Sequence, residues 1–175
     1  MIGVFMPSPI GHMLAGVAVL WTVDPMQSRR DHLLPICATL AAAPDLDLLV
    51  HGAHRMATHS VTAALAVTIV AAAVTGKVTR WRTALLCGVS YASHLLLDWL
   101  SADNFPPRGI QLFWPFSDRW FISDIEVFRQ TARQQFLTAP IIRQNLIAVA
   151  QELLILLPVL AAIWWVRMRH AAPRA

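Results

Sequence analysis

The chain has 175 residues, of which 57% are hydrophobic and 14% are charged, and its mean hydropathy of +0.54 is too high for an ordinary soluble domain. These values predict a single integral membrane domain over residues 1–175. The net charge of +4 comes from basic residues scattered around apolar segments, which excludes a basic nucleic-acid-binding patch, and two cysteines without CxxC spacing exclude a disulfide framework.

Five apolar segments predict an all-α fold, an integral membrane helical bundle of about five transmembrane helices. Ser8 and Pro9 are typical of an N-cap and a first helical position, so we expect the first helix to begin there. Its apolar run rises only about 21 Å, less than the roughly 30 Å hydrocarbon core, and needs flanking residues or local thinning of the bilayer to cross. The five segments cover residues 10–23, 33–50, 61–75, 81–100 and 146–166.

The last third of the second segment contains a proline and two carboxylates. On a regular helix Asp45 and Asp47 would diverge by roughly 200°, so they can serve one site only if Pro44 kinks or unwinds the backbone. We therefore predict a break in the helix at this proline.

The region between the fourth and fifth segments predicts a loop followed by a short helix. The Phe113-Trp114-Pro115-Phe116 stretch of the Pro-rich aromatic loop is expected to wall a site at the membrane surface. Ser123 and Glu126 have capping-box spacing, and apolar residues recur at helical spacing after them. We therefore expect an amphipathic interfacial helix over residues 123–138. Within the fifth segment, Glu152 is expected to make a polar contact with another helix.

A histidine and an aspartate four residues apart lie within the fourth segment. His94 and Asp98 project from the same side of a helix, one turn apart, which is the spacing that two ligands of one metal ion need. Ionisable residues inside a membrane span are costly and usually mark function. The pair therefore predicts a functional site inside the bundle.

The other candidate ligands fall at the same end of the predicted bundle. The basic residues of the short connections favour the end that carries Lys77, Arg80 and Arg82 as cytoplasmic. His12, Asp45, Asp47, the connection from His51 to His59, and the His94–Asp98 pair would then all lie near the outer face. Their convergence on one face is the main argument from the residues alone for a common site.

Histidine nitrogens and carboxylate oxygens without cysteine suit a divalent metal, most simply zinc, with manganese as the alternative. More than four ligands indicate two or more ions, and a pair of ions can hold the attacking hydroxide and the leaving oxygen of a phosphoester. Arg55 could orient an anionic oxygen. A single intramembrane histidine is as readily a packing residue, and Arg55 is equally suited to anchoring a lipid headgroup.

Five motifs in order resemble the YdjM-like family of bacterial inner-membrane proteins, described as metal-dependent hydrolases. They are Gly11-His12, PDLD at 44–47, HRMATHS at 54–60, SHLLLD at 93–98 and GIQLFWPFS at 109–117, and they cover about residues 8–120. Met56 stands where the family usually has Gly. The resemblance implies a membrane-bound metal site whose ligands are His12, Asp45, Asp47, His54, His59, His94 and Asp98.

Together these observations predict a metal-dependent hydrolase of the bacterial inner membrane, with its site on the outer, periplasmic side. The expected substrate is a phosphoester or lipid-like molecule, attacked by metal-activated water, with His94, Asp98 and Arg55 as the central catalytic residues. Membrane lipids are the expected partners. A membrane ion-binding or transport protein would also gather such residues, but nearer the midplane. A non-catalytic structural protein would need them only for packing.

Overall fold

The five apolar segments form five α-helices in the computed structural model, which describes residues 5–23, 32–49, 55–77, 80–104, 106–132 and 137–171. Two short strands, β1 (Phe5–Met6) and β2 (Thr131–Ala132), pair antiparallel at one end of the bundle. The predicted all-α class is confirmed. The helices are α1 (Pro9–Val23), α2 (Leu33–Ala42), α3 (Val61–Val74), α4 (Arg80–Leu100) and α5 (Ala139–Ala171).

The predicted break in the second segment is confirmed. The regular helix α2 ends at Ala42, and the chain continues as a 3-10 helix over Ala43–Leu49. Pro44 has no amide hydrogen, and its ring crowds the preceding turn, so it removes one α-helical bond and disfavours a regular helix at this point. Because a 3-10 helix turns by about 120° per residue, Asp45 and Asp47 project in different directions from one short segment.

Helices α1 and α4 form the centre of the bundle. Helix α1 packs against α2, α4 and α5, and α4 packs against α1, α2 and α3. The contact between α1 and α2 requires a glycine, because a Cβ atom on Gly16 would lie 2.4 Å from the carbonyl oxygen of Cys37. One apolar cluster joins α1, α2 and α4 through Leu20, Leu33, Cys37 and Leu86, and a second joins α1, α4 and α5 through Ala15, Leu97 and Leu156.

Helix length supports fewer membrane spans than the sequence suggests. Among the described residues, one helix, Ala139–Arg169, is long and apolar enough to cross a membrane, whereas Pro9–Val23 and Val61–Val74 are apolar but shorter. Helix α4 has 21 residues but carries polar residues along its length. Length and composition thus support one span, in α5, rather than about five.

The predicted amphipathic helix over residues 123–138 is wrong. Residues 123–130 are not helical, residues 131–132 form strand β2, and residues 133–136 lie outside the described part of the chain. Asp124 and Glu126 have φ angles of 57° and 54°, which a right-handed helix cannot contain. The backbone instead bonds to the end of α4, where the N–H of Val127 donates to the carbonyl of Leu100 at 2.8 Å. Tertiary pairing has overridden the helical periodicity.

Helix α5 is longer than its apolar segment. It begins at Ala139 instead of residue 146, continues to Ala171, and has 33 residues. The first two turns include Arg143, Gln144 and Asn145, so hydropathy alone did not mark them as part of the segment.

Candidate metal centre

Six of the seven predicted ligands lie together at one end of the bundle. The seventh, His54, lies outside the described residues, as does His51. All six side chains are buried, and the three histidines are 0% exposed. Ionisable groups are rarely buried this completely unless they are paired or hold a metal. The six are His12, Asp45, Asp47, His59, His94 and Asp98.

His94 and Asp98 form the middle of the cluster. Their i, i+4 spacing on α4 brings His94 Nε2 to 3.3 Å from Asp98 Oδ2. On the other side of the ring, His94 Nδ1 lies 2.8 Å from the carbonyl oxygen of Ala41, near the end of α2. A carbonyl can only accept, so Nδ1 carries the hydrogen and Nε2 presents its lone pair to the cluster. This is the usual second contact of a metal-binding histidine.

His12 reaches the cluster from the first turn of α1. Ser8 caps this helix, and its hydroxyl accepts the N–H of Gly11 at 3.1 Å, so the predicted helix start is confirmed. The imidazole of His12 stacks on that of His94 with ring centres 3.7 Å apart. Its Nε2 atom lies 3.4 Å from Asp98 Oδ1. Asp98 therefore presents one oxygen to His12 and the other to His94.

His59 and Asp45 complete the inner part of the cluster. His59 Nε2 lies 3.1 Å from His94 Nε2, 3.3 Å from Asp98 Oδ2 and 4.0 Å from Asp45 Oδ1. Asp45 Oδ1 is also 3.6 Å from His94 Nε2. Ligands of a tetrahedral zinc ion with bonds of about 2.05 Å are about 3.3 Å apart, so these separations suit one ion.

Asp47 contacts the opposite edge of His59. Its Oδ2 atom lies 3.1 Å from His59 Nδ1 and accepts hydrogen bonds from the Arg55 N–H at 3.0 Å and the Thr58 hydroxyl at 2.6 Å. Burial lowers the pKa of His59, but the nearby carboxylates of Asp47 and Asp98 outweigh it and raise the pKa to about 9. A metal bound at His59 Nε2 would displace a proton from that nitrogen.

The cluster fits a metal ion by geometry and by its unsatisfied atoms. Two groups of buried side chains place possible ligand atoms within 4.8 Å of one another: His12, His94 and Asp98, and Asp45, His59 and His94. Among the described residues, both ring nitrogens of His12 and both oxygens of Asp98 are buried without a hydrogen bond. Such atoms are costly unless a ligand satisfies them. The nitrogen and oxygen donors suit zinc or manganese.

Arg55 lies beside the cluster, in the segment that leads to α3. It has a positive φ of 63°, is 8% exposed, and its guanidinium forms an ion pair with the buried carboxylate of Asp103. Asp103 also accepts the N–H of Gly109 at 2.7 Å. The aromatic loop is thereby tied to the segment that carries His59.

The same loop packs over the start of α3, next to His59. The N–H of Val61 donates to the carbonyl of Leu112 at 2.9 Å, and the Thr62 hydroxyl donates to the carbonyl of Trp114 at 2.7 Å. Phe116, at the tip of the loop, is 86% exposed. The predicted aromatic stretch therefore lies beside the cluster, with part of its apolar surface outward.

Glu152, on α5, accepts hydrogen bonds from the residue that caps the start of α1. Its Oε1 atom accepts the backbone N–H of Ser8 at 2.7 Å, and its Oε2 atom accepts the Ser8 hydroxyl. The carboxylate is 0% exposed and lies at a helix N-terminus, where a negative charge is stabilised. The predicted polar contact between helices is confirmed, and its position, one turn before His12, fixes that histidine.

Sequence reasoning missed Asp103, Thr58 and the carbonyl of Ala41. Each is an ordinary residue of a loop or a helix end, and its partner is distant in the chain or lies on the backbone. A buried arginine in a membrane protein requires a carboxylate partner, which was the one available signal for Asp103.

Comparison with protein families gives a match over most of the chain. The family model described as YdjM inner membrane protein matches residues 6–172, which includes every residue of the cluster and extends well past the motifs that end near residue 120. No curated protein and no solved structure matches the chain.

Proposed function

Because the chain belongs to the YdjM inner membrane protein family, we propose that it is a membrane-bound metal-dependent hydrolase that cleaves a phosphoester of a lipid-like substrate. The observation that carries this proposal is the buried cluster around His94, whose donor atoms are spaced as the ligands of a metal ion. Sites built from histidine and carboxylate without cysteine are more often hydrolytic than structural.

Helix α5 sets the placement in the membrane. Arg143 and Arg167 lie 24 residues apart on it, which is about 36 Å along the axis and matches a hydrocarbon core of roughly 30 Å with its interfaces. Helices α1 to α4 are embedded beside it in the bacterial inner membrane. The end with Lys77, Arg80 and Arg82 is cytoplasmic by the positive-inside rule, so the cluster belongs to the periplasmic half.

The metal ligands in this proposal are His12, Asp45, His59, His94 and Asp98. Zinc is the first choice and manganese the alternative. When bound, the metal lowers the pKa of a water molecule and polarises a phosphoester oxygen. Asp98 belongs to the first ligand group, and His94 belongs to both, so the two groups share one imidazole. His54 is retained as a further ligand on the basis of the family motif.

Asp47 and Arg55 act through other residues in this account. Asp47 accepts the Nδ1–H of His59 and so orients Nε2 towards the other ligands, the carboxylate–histidine arrangement that raises ligand basicity. The guanidinium of Arg55 is paired with Asp103, and its backbone N–H bonds Asp47. We assign both a positioning role, whereas the sequence had suggested Asp47 as a ligand and Arg55 as an anion-orienting group.

A lipid-like substrate is favoured by where the cluster lies. Helix α1 has 15 residues and rises only about 22 Å, so its start, with His12, lies below the outer headgroup level and not in bulk water. The aromatic loop with exposed Phe113 and Phe116 stands at the membrane surface above it. A substrate delivered laterally from the bilayer suits this position.

The test is metal-dependent hydrolysis by the detergent-purified protein, followed as the release of inorganic phosphate from a monoester and of an alcohol and a phosphomonoester from a diester. The metal-loaded protein is offered a diacyl phosphomonoester lipid, a diacyl phosphodiester lipid and a soluble aryl phosphodiester. We expect release from at least one lipid, its loss in His94→Ala, and its retention in His32→Ala, a change at an exposed histidine. Release that persists in His94→Ala and in the presence of a chelator would contradict the proposal.

A further inference from the structure

A polar cavity lies between the loop after α4 and the first turns of α5. It has a volume of about 520 Å³. Its lining residues include two arginines and three residues with side-chain amides: Arg129, Arg143, Asn104, Gln130 and Gln144. None of the metal-cluster residues contributes to this lining. The cavity is therefore a second polar site near the same end of the bundle.

The lining of this cavity is rich in positive charge. Within the described part of the chain it contains no carboxylate, and neither Arg129 nor Arg143 has an ion-pair partner there. The buried Nε2 of Gln130 has no acceptor there, although its Oε1 accepts from Asn104 at 3.4 Å. An anionic oxygen would satisfy this donor and both arginines, as in other phosphate sites.

An exposed apolar face of α5 continues from the cavity. Its first part shares Arg143 and Ile147 with the cavity and includes Leu146. The face continues past Leu154 to Ala161. From Arg143 to Ala161 it extends about 27 Å, more than the roughly 15 Å depth of one leaflet.

We propose that α5 binds one anionic phospholipid, with its phosphate between Arg129 and Arg143 and an acyl chain along the apolar face below. Arg143 lies near the start of Ala139–Arg169, the helix segment that is long and apolar enough to cross a membrane, which is the level of the headgroups. The apolar face begins directly beneath the charge. An anionic head with a hydrocarbon tail matches both parts of the site.

This site requires α5 to lie in the membrane, but it does not depend on the hydrolase activity. Charge complementarity identifies the occupant as an anionic lipid, because a zwitterionic headgroup would bring its own cation to the two arginines. The proposal therefore predicts selectivity for headgroup charge and a requirement for acyl chains.

The test is lipid retention by the full-length protein in native mass spectrometry after titration with phosphatidylglycerol or phosphatidylcholine. In the double variant Arg129→Gln/Arg143→Gln we expect phosphatidylglycerol to bind at least about tenfold more weakly, from the loss of two charge-assisted contacts. The double variant Arg108→Gln/Arg119→Gln removes the same charge from exposed positions and should bind as the unmodified protein does. Metal content should be unchanged in both.

A further variant separates loss of the lipid site from misfolding of the Arg129→Gln/Arg143→Gln protein. Gln144→Glu adds one negative charge at an exposed helical position and should also weaken phosphatidylglycerol, with its thermal unfolding unchanged. Equal weakening in the two double variants would show diffuse surface charge and overturn the site. Binding of phosphatidylcholine as tight as that of phosphatidylglycerol would also overturn the site. The same holds if glycerol phosphate competes as strongly as the intact lipid does.

Discussion

The Nε2 atoms of His59 and His94 lie 3.1 Å apart, although one residue precedes α3 and the other is near the end of α4. The Nδ1 atom of each ring also has a partner, which is the carbonyl of Ala41 for His94 and the carboxylate of Asp47 for His59. Two buried nitrogens directed at each other need a cation or a proton between them. This relationship is the basis of the metal-site account and of the predictions that follow.

Asp47→Asn tests the positioning role of this carboxylate. We expect metal affinity to fall by about 10- to 100-fold, because His59 loses the partner that orients it while every proposed ligand is retained. Competition with a chromophoric chelator measures the change. Asp45→Asn removes a proposed ligand from the group of Asp45, His59 and His94 and should instead abolish stoichiometric metal binding. Equal losses of metal affinity in the two variants would indicate that Asp47 is itself a ligand.

Ser8→Ala tests the anchor between α1 and α5. The substitution leaves the buried Glu152 carboxylate without the hydroxyl of Ser8, and we expect the free energy of unfolding to fall by about 1–3 kcal/mol. Chemical denaturation in detergent measures it. Ser123→Ala is the matched control, since the hydroxyl of Ser123 accepts one N–H in an exposed segment. A Ser8→Ala protein as stable as the Ser123→Ala protein would contradict the anchor.

Two Arg–Asp pairs offer a comparison of buried and exposed charge. The side chains of Arg55 and Asp103 are 9% and 3% exposed, and those of Arg108 and Asp124 are 42% and 64% exposed. We expect Asp103→Asn to cost about 3 kcal/mol of unfolding free energy, because it removes the negative charge that pairs with the buried guanidinium of Arg55. Asp124→Asn should cost at most about 1 kcal/mol. Similar midpoints of thermal unfolding for the two variants would show that burial does not matter here.

The close approach of α1 and α2 depends on Gly16. Gly16→Ala places a methyl group 2.4 Å from a backbone carbonyl oxygen of α2, and we expect a loss of about 1–3 kcal/mol in unfolding free energy from overpacking. At Gly76 a Cβ atom would meet nothing within 4 Å, so Gly76→Ala is the control. Unchanged thermal unfolding of Gly16→Ala would mean that the helices can separate at little cost.

The helices, and the candidate ligands at one end of the bundle, could be predicted from the sequence because they follow from hydropathy, helix capping and residue spacing. Ser8 and Pro9 mark the start of α1, the i, i+4 rule pairs His94 with Asp98, and Pro44 ends α2. The 123–138 segment shows where such rules fail. Its helical periodicity is real, but the buried Phe128 and backbone bonds to the end of α4 hold most of it in an irregular conformation.

The roles of individual side chains needed the three-dimensional structure. Asp45 and Asp47 are two residues apart and identical in kind, yet one contacts Nε2 of His59 and the other Nδ1, because the 3-10 backbone directs them to opposite edges of the ring. The partner of Arg55 lies 48 residues away in a loop. Hydropathy marks five apolar segments, whereas among the described residues length and composition support one membrane span, in α5.

The most direct test of the metal-site account is the metal content of the protein purified in detergent without chelator, by elemental mass spectrometry. We predict one or more equivalents of zinc or manganese per chain. These should be lost in His94→Ala and Asp98→Ala and kept in His32→Ala, a change outside the cluster. A protein that binds no divalent metal even after its addition, or that binds it equally in all three variants, would contradict the account.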